Sequence, residues 1–157
     1  MIIVGTVTGD SPMPATAVRV QQKIGAENIP AFDISAACAG FLYGLSIGDQ
    51  FIRTGQMQRI LVIGVELLSR VLNWSDRTTC VLFGDGAGAV VLGPARQGGE
   101  AASGVISTKI FTDGSLADTL MIPGGGSELP LTHAGLDEAK KHGIKPVIGR
   151  ASCRERV

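Results

Sequence analysis

Residues Arg59-Ile-Leu-Val-Ile-Gly-Val-Glu66 form a near-continuous apolar run with no alternation of polar and apolar positions. A strand with one face in water alternates. A run of this kind belongs in a sheet covered on both faces, as in a parallel sheet flanked by helices. The rest of the chain supplies the helices that such a sheet needs. Ile2–Val7 reads as a second buried strand and leads into the breaker-rich loop Gly9-Asp-Ser-Pro-Met-Pro14. Ala15–Ile24 is predicted helical, with Pro14 near its first turn and Gly25 just past its end. Residues Pro30–Ile34 read as a short buried strand, and 39–54 as a helix closing at Arg53-Thr-Gly55. Ala87–Leu92 and Gly104–Phe111 are read as further strands. Strand–helix–strand–helix–strand is the order of an α/β layered fold.

Within the helix at 39–54, Gly40, Gly44 and Gly48 recur every four residues and so share one face. Each glycine inside a helix costs about 1 kcal/mol relative to alanine. Three on one stripe imply a close approach by something else. Either a counterpart helix from another part of the protein packs there, or a tight contact forms within this chain. The pattern leaves both open.

The chemistry sits just before that helix. In Asp33-Ile-Ser-Ala-Ala-Cys38-Ala-Gly-Phe41 a single cysteine stands where strand turns into helix. On a first helical turn, unpaired N–H groups and the positive end of the helix dipole favour a thiolate. The same N–H groups can hold an oxyanion. Acyl transfer through a covalent thioester needs both. The alternative is that Cys38 is a small buried hydrophobe between alanines.

The chain has 157 residues, 45% of them hydrophobic and 4% aromatic, with 22 glycines, so its core is built from small and branched side chains. Formal net charge is zero, from 14 basic and 14 acidic residues, which predicts no attraction to nucleic acid or to a membrane surface. No apolar run is long enough to span a bilayer, and Met1-Ile-Ile-Val-Gly lacks the basic start of a signal peptide. Three cysteines, Cys38, Cys80 and Cys153, without C-x-x-C spacing argue against a disulfide framework or a zinc site. No metal is expected, and a reducing cytoplasm fits this cysteine usage.

Six motifs occur in a fixed order. They are the Cys38 segment, Gly64-Val-Glu-Leu-Leu-Ser69, Asp76-Arg77 within Trp74–Thr79, Phe83-Gly-Asp-Gly-Ala-Gly88, Asp113-Gly-Ser115 and Ile122-Pro-Gly-Gly-Gly-Ser127. This ordered set resembles β-ketoacyl-acyl carrier protein synthase III, a condensing enzyme of the thiolase superfamily. The resemblance runs from about Ile2 to Ser127. It implies a thiolase-like layered fold, α-β-α-β-α in the full enzyme, of which about one half is present.

By that resemblance, Cys38 attacks a short acyl-CoA and becomes acylated. Malonyl-acyl carrier protein then loses carbon dioxide, and the carbanion attacks the acyl-enzyme. This decarboxylative Claisen condensation starts fatty-acid synthesis. No cofactor is implied beyond the coenzyme A thioester that is the substrate. Arg77 matches an arginine that meets the nucleotide end of coenzyme A, where a guanidinium can stack or pair with phosphate; it also reads as a surface arginine beside Asp76. Met13 matches a position that reaches across a homodimer to line the partner's acyl pocket, and Leu68 lines the same pocket or belongs to the core. Gly84-Asp-Gly-Ala-Gly-Ala89 lacks the Lys-Ser/Thr of a P-loop. The resemblance makes it a tight structural turn near the active-site floor.

The resembled enzyme is about twice this length and places a histidine in Pro-His-Gln-Ala-Asn and an asparagine in Gly-Asn, both in its second half. Neither motif occurs here. His133 and His142 lie in the polar stretch Leu131–His142 and read as solvated surface. Residues 1–127 are therefore expected to form the thiolase-like part, incomplete at its start. Residues 128–147 diverge, and 148–157, Ile-Gly-Arg-Ala-Ser-Cys-Arg-Glu-Arg-Val, resemble a translated sequencing adapter. The expectation is an inactive fragment whose glycine stripe and sheet surface lack a cover. Two alternatives remain. One is another thiolase-fold acyltransferase, of polyketide starter synthase or hydroxymethylglutaryl-CoA synthase type. The other is a non-catalytic module that binds an acyl carrier.

Overall fold

The computed structural model describes residues 1–95, 104–130 and 132–141. Two compact units can be distinguished: Met1–Glu66 with Gly86–Phe111, and Leu67–Asp85 with the described residues from Thr112 onward.

The first unit is built on a four-stranded sheet. Its strands are β1 (Ile2–Gly5), β2 (Ala31–Ile34), β3 (Ile60–Leu67) and β4 (Asp85–Leu92), in the order β2-β1-β3-β4. β1 runs parallel to both neighbours, with Gly5 opposite Ile34 on one side and Gly64 on the other. Helix α1 (Thr16–Lys23) links β1 to β2, and helix α2 (Gly40–Arg53) links β2 to β3. The apolar run thus lies in a parallel sheet, as its lack of alternation requires.

The alternating positions of the central strands feed two separate cores. Ile3, Ile60 and Val62 are fully buried with Met1 nearby, and Phe41, Leu45 and Phe51 of α2 pack against them. Ile2, Val4 and Ala17 form the opposite core with Val20 of α1, Ile29 and Ile63. Burying each of these large aliphatic side chains contributes about 1.5–3 kcal/mol. β2 is only half-buried, and β4 is exposed along nearly its whole length.

The glycine stripe is settled by contacts inside this unit. A Cβ on Gly40 would stand 3.0 Å from the Cα of Gly5, and one on Gly44 would stand 2.8 Å from Cγ1 of Val62. One on Gly48 would stand 2.8 Å from Cδ1 of Leu92. All three glycines are buried. The expectation that the stripe lacks a cover is therefore overturned: α2 lies directly on its own sheet.

Two other readings are corrected. Residues 104–111 form no strand. Arg53 of α2 donates to the Val105 carbonyl at 3.2 Å and Thr108 donates to Ser46 at 3.0 Å, while Ile106 is 91% exposed. The segment is held by side chains of α2 and has no ladder of its own. Gly84-Asp-Gly-Ala-Gly-Ala89 is no tight turn, since β4 begins at Asp85. Open space faces Gly84, Gly86 and Gly88, so an edge strand accommodates them without a packing partner. In the divergent stretch after Ser127, helix α3 (His133–Lys141) forms, with His133 exposed at its start. The segment 148–157, with Cys153, and His142 lie outside the described residues.

Candidate active site

Cys38 stands at the carboxyl edge of the parallel strands, where open α/β sheets place their ligand sites. β2 ends at Ile34, and Ala37–Ala39 form a single 3-10 turn that runs into α2. The cysteine thus precedes the α-helix itself, and it is exposed. That exposure departs from the buried setting expected for Cys38, and the 3-10 turn places it ahead of the first α-helical turn. Two N–H groups of the turn are committed: Ala39 donates to the Ala36 carbonyl at 3.1 Å, and Gly40 donates to the carbonyl of Ala37. Among the described residues the N–H of Cys38 itself carries no such bond.

The residue before the cysteine is strained. Ala37 has φ +45°, in the left-handed region. Such a conformation costs a non-glycine residue about 1–3 kcal/mol and persists only where the surroundings over-determine it. Asn28 also has positive φ, 55°, but asparagine tolerates it through its short polar side chain. Alanine has no such device, so the strain at Ala37 marks a turn shaped by its neighbours to present the next residue.

Two carboxylates organise the same edge. Glu66, near the end of β3, accepts from the Val7 amide at 2.9 Å and from the hydroxyls of Thr6 and Thr8. It closes the loop leaving β1 onto β3. Asp33 of β2 accepts from the amides of Thr16 and Ala17, which open α1. Between these anchors, Met13 lies on the loop and is 86% exposed. Ser11 donates to the Pro14 carbonyl and accepts from Arg19, which holds that loop across its tip.

Leu68 and Arg77 belong to the second unit. Leu68 is half-buried and opens the 3-10 turn Leu68–Arg70. Asp76 accepts from the Thr78 amide at 2.9 Å and from the hydroxyls of Thr78 and Thr79. This fixes the turn from which Arg77 projects, exposed and in none of the ion pairs among the described residues. Trp74, three residues earlier, is 66% exposed. The sequence reading passed over the strain at Ala37 and the roles of Gly5, Asp33 and Glu66. Beside the helix stripe, glycines inside apolar strands, as at Gly5 and Gly64, were a further signal of close backbone approach.

The profile of the family described as 3-oxoacyl-[acyl-carrier-protein (ACP)] synthase III matches residues 32–114, which include the strained turn, Glu66 and the Arg77 turn. The chain belongs to this family. It is 54% identical to β-ketoacyl-[acyl-carrier-protein] synthase III of Natranaerobius thermophilus over 145 residues, 92% of this chain and 44% of the relative. The crystal structure of 3-oxoacyl-[acyl-carrier-protein] synthase III from Aquifex aeolicus is 48% identical. It superposes with TM-score 0.70 over 76% of this chain and 37% of its own. The synthase III from Pseudomonas aeruginosa gives TM-score 0.73 at 40% identity, over 81% and 39%. These matches establish the thiolase-like α/β fold. The chain spans less than half the length of the curated relatives it matches. Among the described residues no group of three or more His, Cys, Asp or Glu is placed to hold a metal ion, and no helix is long and apolar enough to cross a membrane.

Proposed function

We propose that this chain carries the acyl-accepting part of a β-ketoacyl-acyl carrier protein synthase III, with Cys38 as its nucleophile. The observation that carries the reading is the exposed thiol presented by a strained turn at the carboxyl edge of a parallel sheet. The thiolate attacks the carbonyl of a short acyl-CoA, the tetrahedral oxyanion collapses, and coenzyme A leaves as a thiol, giving an acyl-cysteine. The Cys38 N–H is one donor for that oxyanion. In the whole protein, malonyl-acyl carrier protein then loses carbon dioxide and its carbanion attacks the acyl-cysteine, the initiating condensation of fatty-acid synthesis.

Arg77 meets the nucleotide end of coenzyme A, where its exposed guanidinium can stack or pair with phosphate. Met13 projects from its own chain and lines the acyl pocket of a partner subunit in a homodimer, and Leu68 lines the same pocket. The setting is cytoplasmic, and the reaction needs no cofactor beyond the thioester substrate. The condensation also requires donors for the enolate, and neither the Pro-His-Gln-Ala-Asn nor the Gly-Asn motif occurs in this sequence. These residues therefore account for the first half-reaction.

The test is intact mass after incubation with acetyl-CoA, followed by peptide mapping. An acetyl adduct on Cys38 that is absent from Cys38→Ala supports the reading. Acetylation confined to other residues, or none, overturns it and leaves the non-catalytic module.

A further inference from the structure

We infer that Gly5 is a positioning residue for the Cys38 thiol, because direct backbone contact between the end of β1 and the first residue of α2 sets where the cysteine turn stands. The inference rests on the reading of Cys38 as nucleophile. A Cβ on Gly5 would lie 2.5 Å from the carbonyl carbon of Gly40, and 2.9 Å from its Cα and its oxygen. These are backbone atoms, so relief requires the start of α2 itself to move. A clash with the tip of a long side chain is relieved by a rotamer change instead. The neighbouring strand repeats the arrangement. Gly64 is the register partner of Gly5, and a Cβ there would lie 3.0 Å from Cβ of Phe41. Two adjacent strand glycines therefore form a bare seat for the first two residues of α2.

Cys38 is two residues ahead of that seat, with little slack between. The N–H of Gly40 donates to the Ala37 carbonyl, and Ala37 is held at φ +45°. A shift of Gly40 passes through this single hydrogen-bonded turn to the sulfur. Seating Gly40 directly on β1 also gives the strain at Ala37 its cause. The chain must climb from the end of β2 to a helix lying at backbone contact with β1, and it has only Ser35–Ala39 in which to do so.

The experiment compares alkylation of Cys38 and Cys80 by iodoacetamide within each variant, resolved by peptide mass. Cys80 serves as the internal reference. Displacement by about 1 Å at a reacting group can change a rate by up to about 100-fold. The Cys38/Cys80 rate ratio in Gly5→Ala is expected to change by about fivefold or more, with an altered pH profile for Cys38. Gly48→Ala is the control at the far end of the same helix. Its Cβ would crowd the tip of Leu92 at 2.8 Å, with Ile60 and Val62 at ordinary contact distance of 3.6 Å and no backbone atom among them, so the ratio stays at the wild-type value even if the melt shifts. If Gly5→Ala does not melt cooperatively, Gly64→Ala carries the same test with a milder clash. An unchanged ratio in the folded Gly5→Ala or Gly64→Ala variant, or an equal change in Gly48→Ala, overturns the inference. Failure of acetyl-CoA to label Cys38 while these ratios behave as stated would instead count against the nucleophile reading alone.

Discussion

The carboxylate of Asp33 on β2 accepts the amide hydrogen of Thr16, the first residue of α1, at 2.7 Å. Its other oxygen takes the Ala17 amide at 2.8 Å. The local N-cap residue, Ala15, makes no side-chain cap. A residue on the neighbouring strand therefore does the work that serine or aspartate usually does from the N-cap itself, and it ties α1 to β2 as well. Losing an N-cap typically costs about 1 kcal/mol, and orphaning donors to a charged acceptor adds to that. Asp33→Ala is expected to lower stability by about 1–3 kcal/mol. Asp33→Asn, which keeps one acceptor oxygen, should lose less. Urea denaturation of the two variants checks the order, and equal midpoints for wild type and Asp33→Ala would refute it.

Gly44 tests the stripe through two opposing effects. Alanine at a helix interior gains about 1 kcal/mol over glycine. Its Cβ would stand 2.8 Å from Cγ1 of Val62 and 3.5 Å from Cγ2 of Ile3, both held in the core. Overpacking of that kind costs about 1–3 kcal/mol. Packing wins, so Gly44→Ala is expected to destabilise by up to about 2 kcal/mol. The double variant Gly44→Ala with Val62→Ala removes the clashing atom, so the penalty for Gly44→Ala should shrink in that background. A thermal melt of the four proteins closes the cycle.

What the sequence disclosed, and what it hid, follows from the range of each interaction. The run Ile60–Val65 announced a strand in a parallel sheet because its pattern depends only on burial of both faces. The four-residue spacing of Gly40, Gly44 and Gly48 announced a close approach. It could not say by what, because Gly5, Val62 and Leu92 come together only through the topology. Val105, Ile106, Ile110 and Phe111 looked like a strand by composition, yet a strand needs a ladder, and this segment is tied to α2 instead. The start of β4 was expected to be a turn from the family resemblance, but an edge strand with open space above it accommodates its glycines. At the site, Cys38 and its motif were legible as residues. The positive φ of Ala37 was not, since it arises from where α2 must begin.

Glu66 gathers the loop that leaves β1. Its carboxylate accepts from the Val7 amide and from two threonine hydroxyls, all about sixty residues away in sequence. Charge-assisted bonds of this type are worth about 1.5–3 kcal/mol each in favourable settings. Here the Val7 end is exposed, which places the expected loss for Glu66→Ala at about 1–2 kcal/mol. Because the loop also carries Met13, faster amide hydrogen exchange at Val7 and Thr8 should accompany the loss. Unchanged exchange at those amides would show that the clasp does not hold the loop.

Asp85 gives the second unit a pH dependence of definite sign. The Ser69 hydroxyl donates to one of its oxygens at 2.6 Å and the Ser69 amide to the other at 2.8 Å. The hydroxyl first and the amide second hold the Asp85 carboxyl below the usual carboxylate range. Ser115 does the same for Asp113 through its hydroxyl and amide. A folded carboxyl that titrates below its unfolded counterpart stabilises the fold above the unfolded value, near pH 4. That contribution disappears as pH falls through the lower, folded value. Ser69→Ala removes the larger cause and leaves the amide, so Asp85 should titrate closer to the ordinary range while Asp113 stays where it was. Carbon-detected NMR titration of the two carboxyl groups measures both. Wild type and Ser69→Ala should differ in stability at neutral pH and converge in acid, because protonation of Asp85 removes from the wild type what the substitution has already removed. A stability difference that persists undiminished to low pH would mean that Ser69 acts through packing and not through this carboxylate.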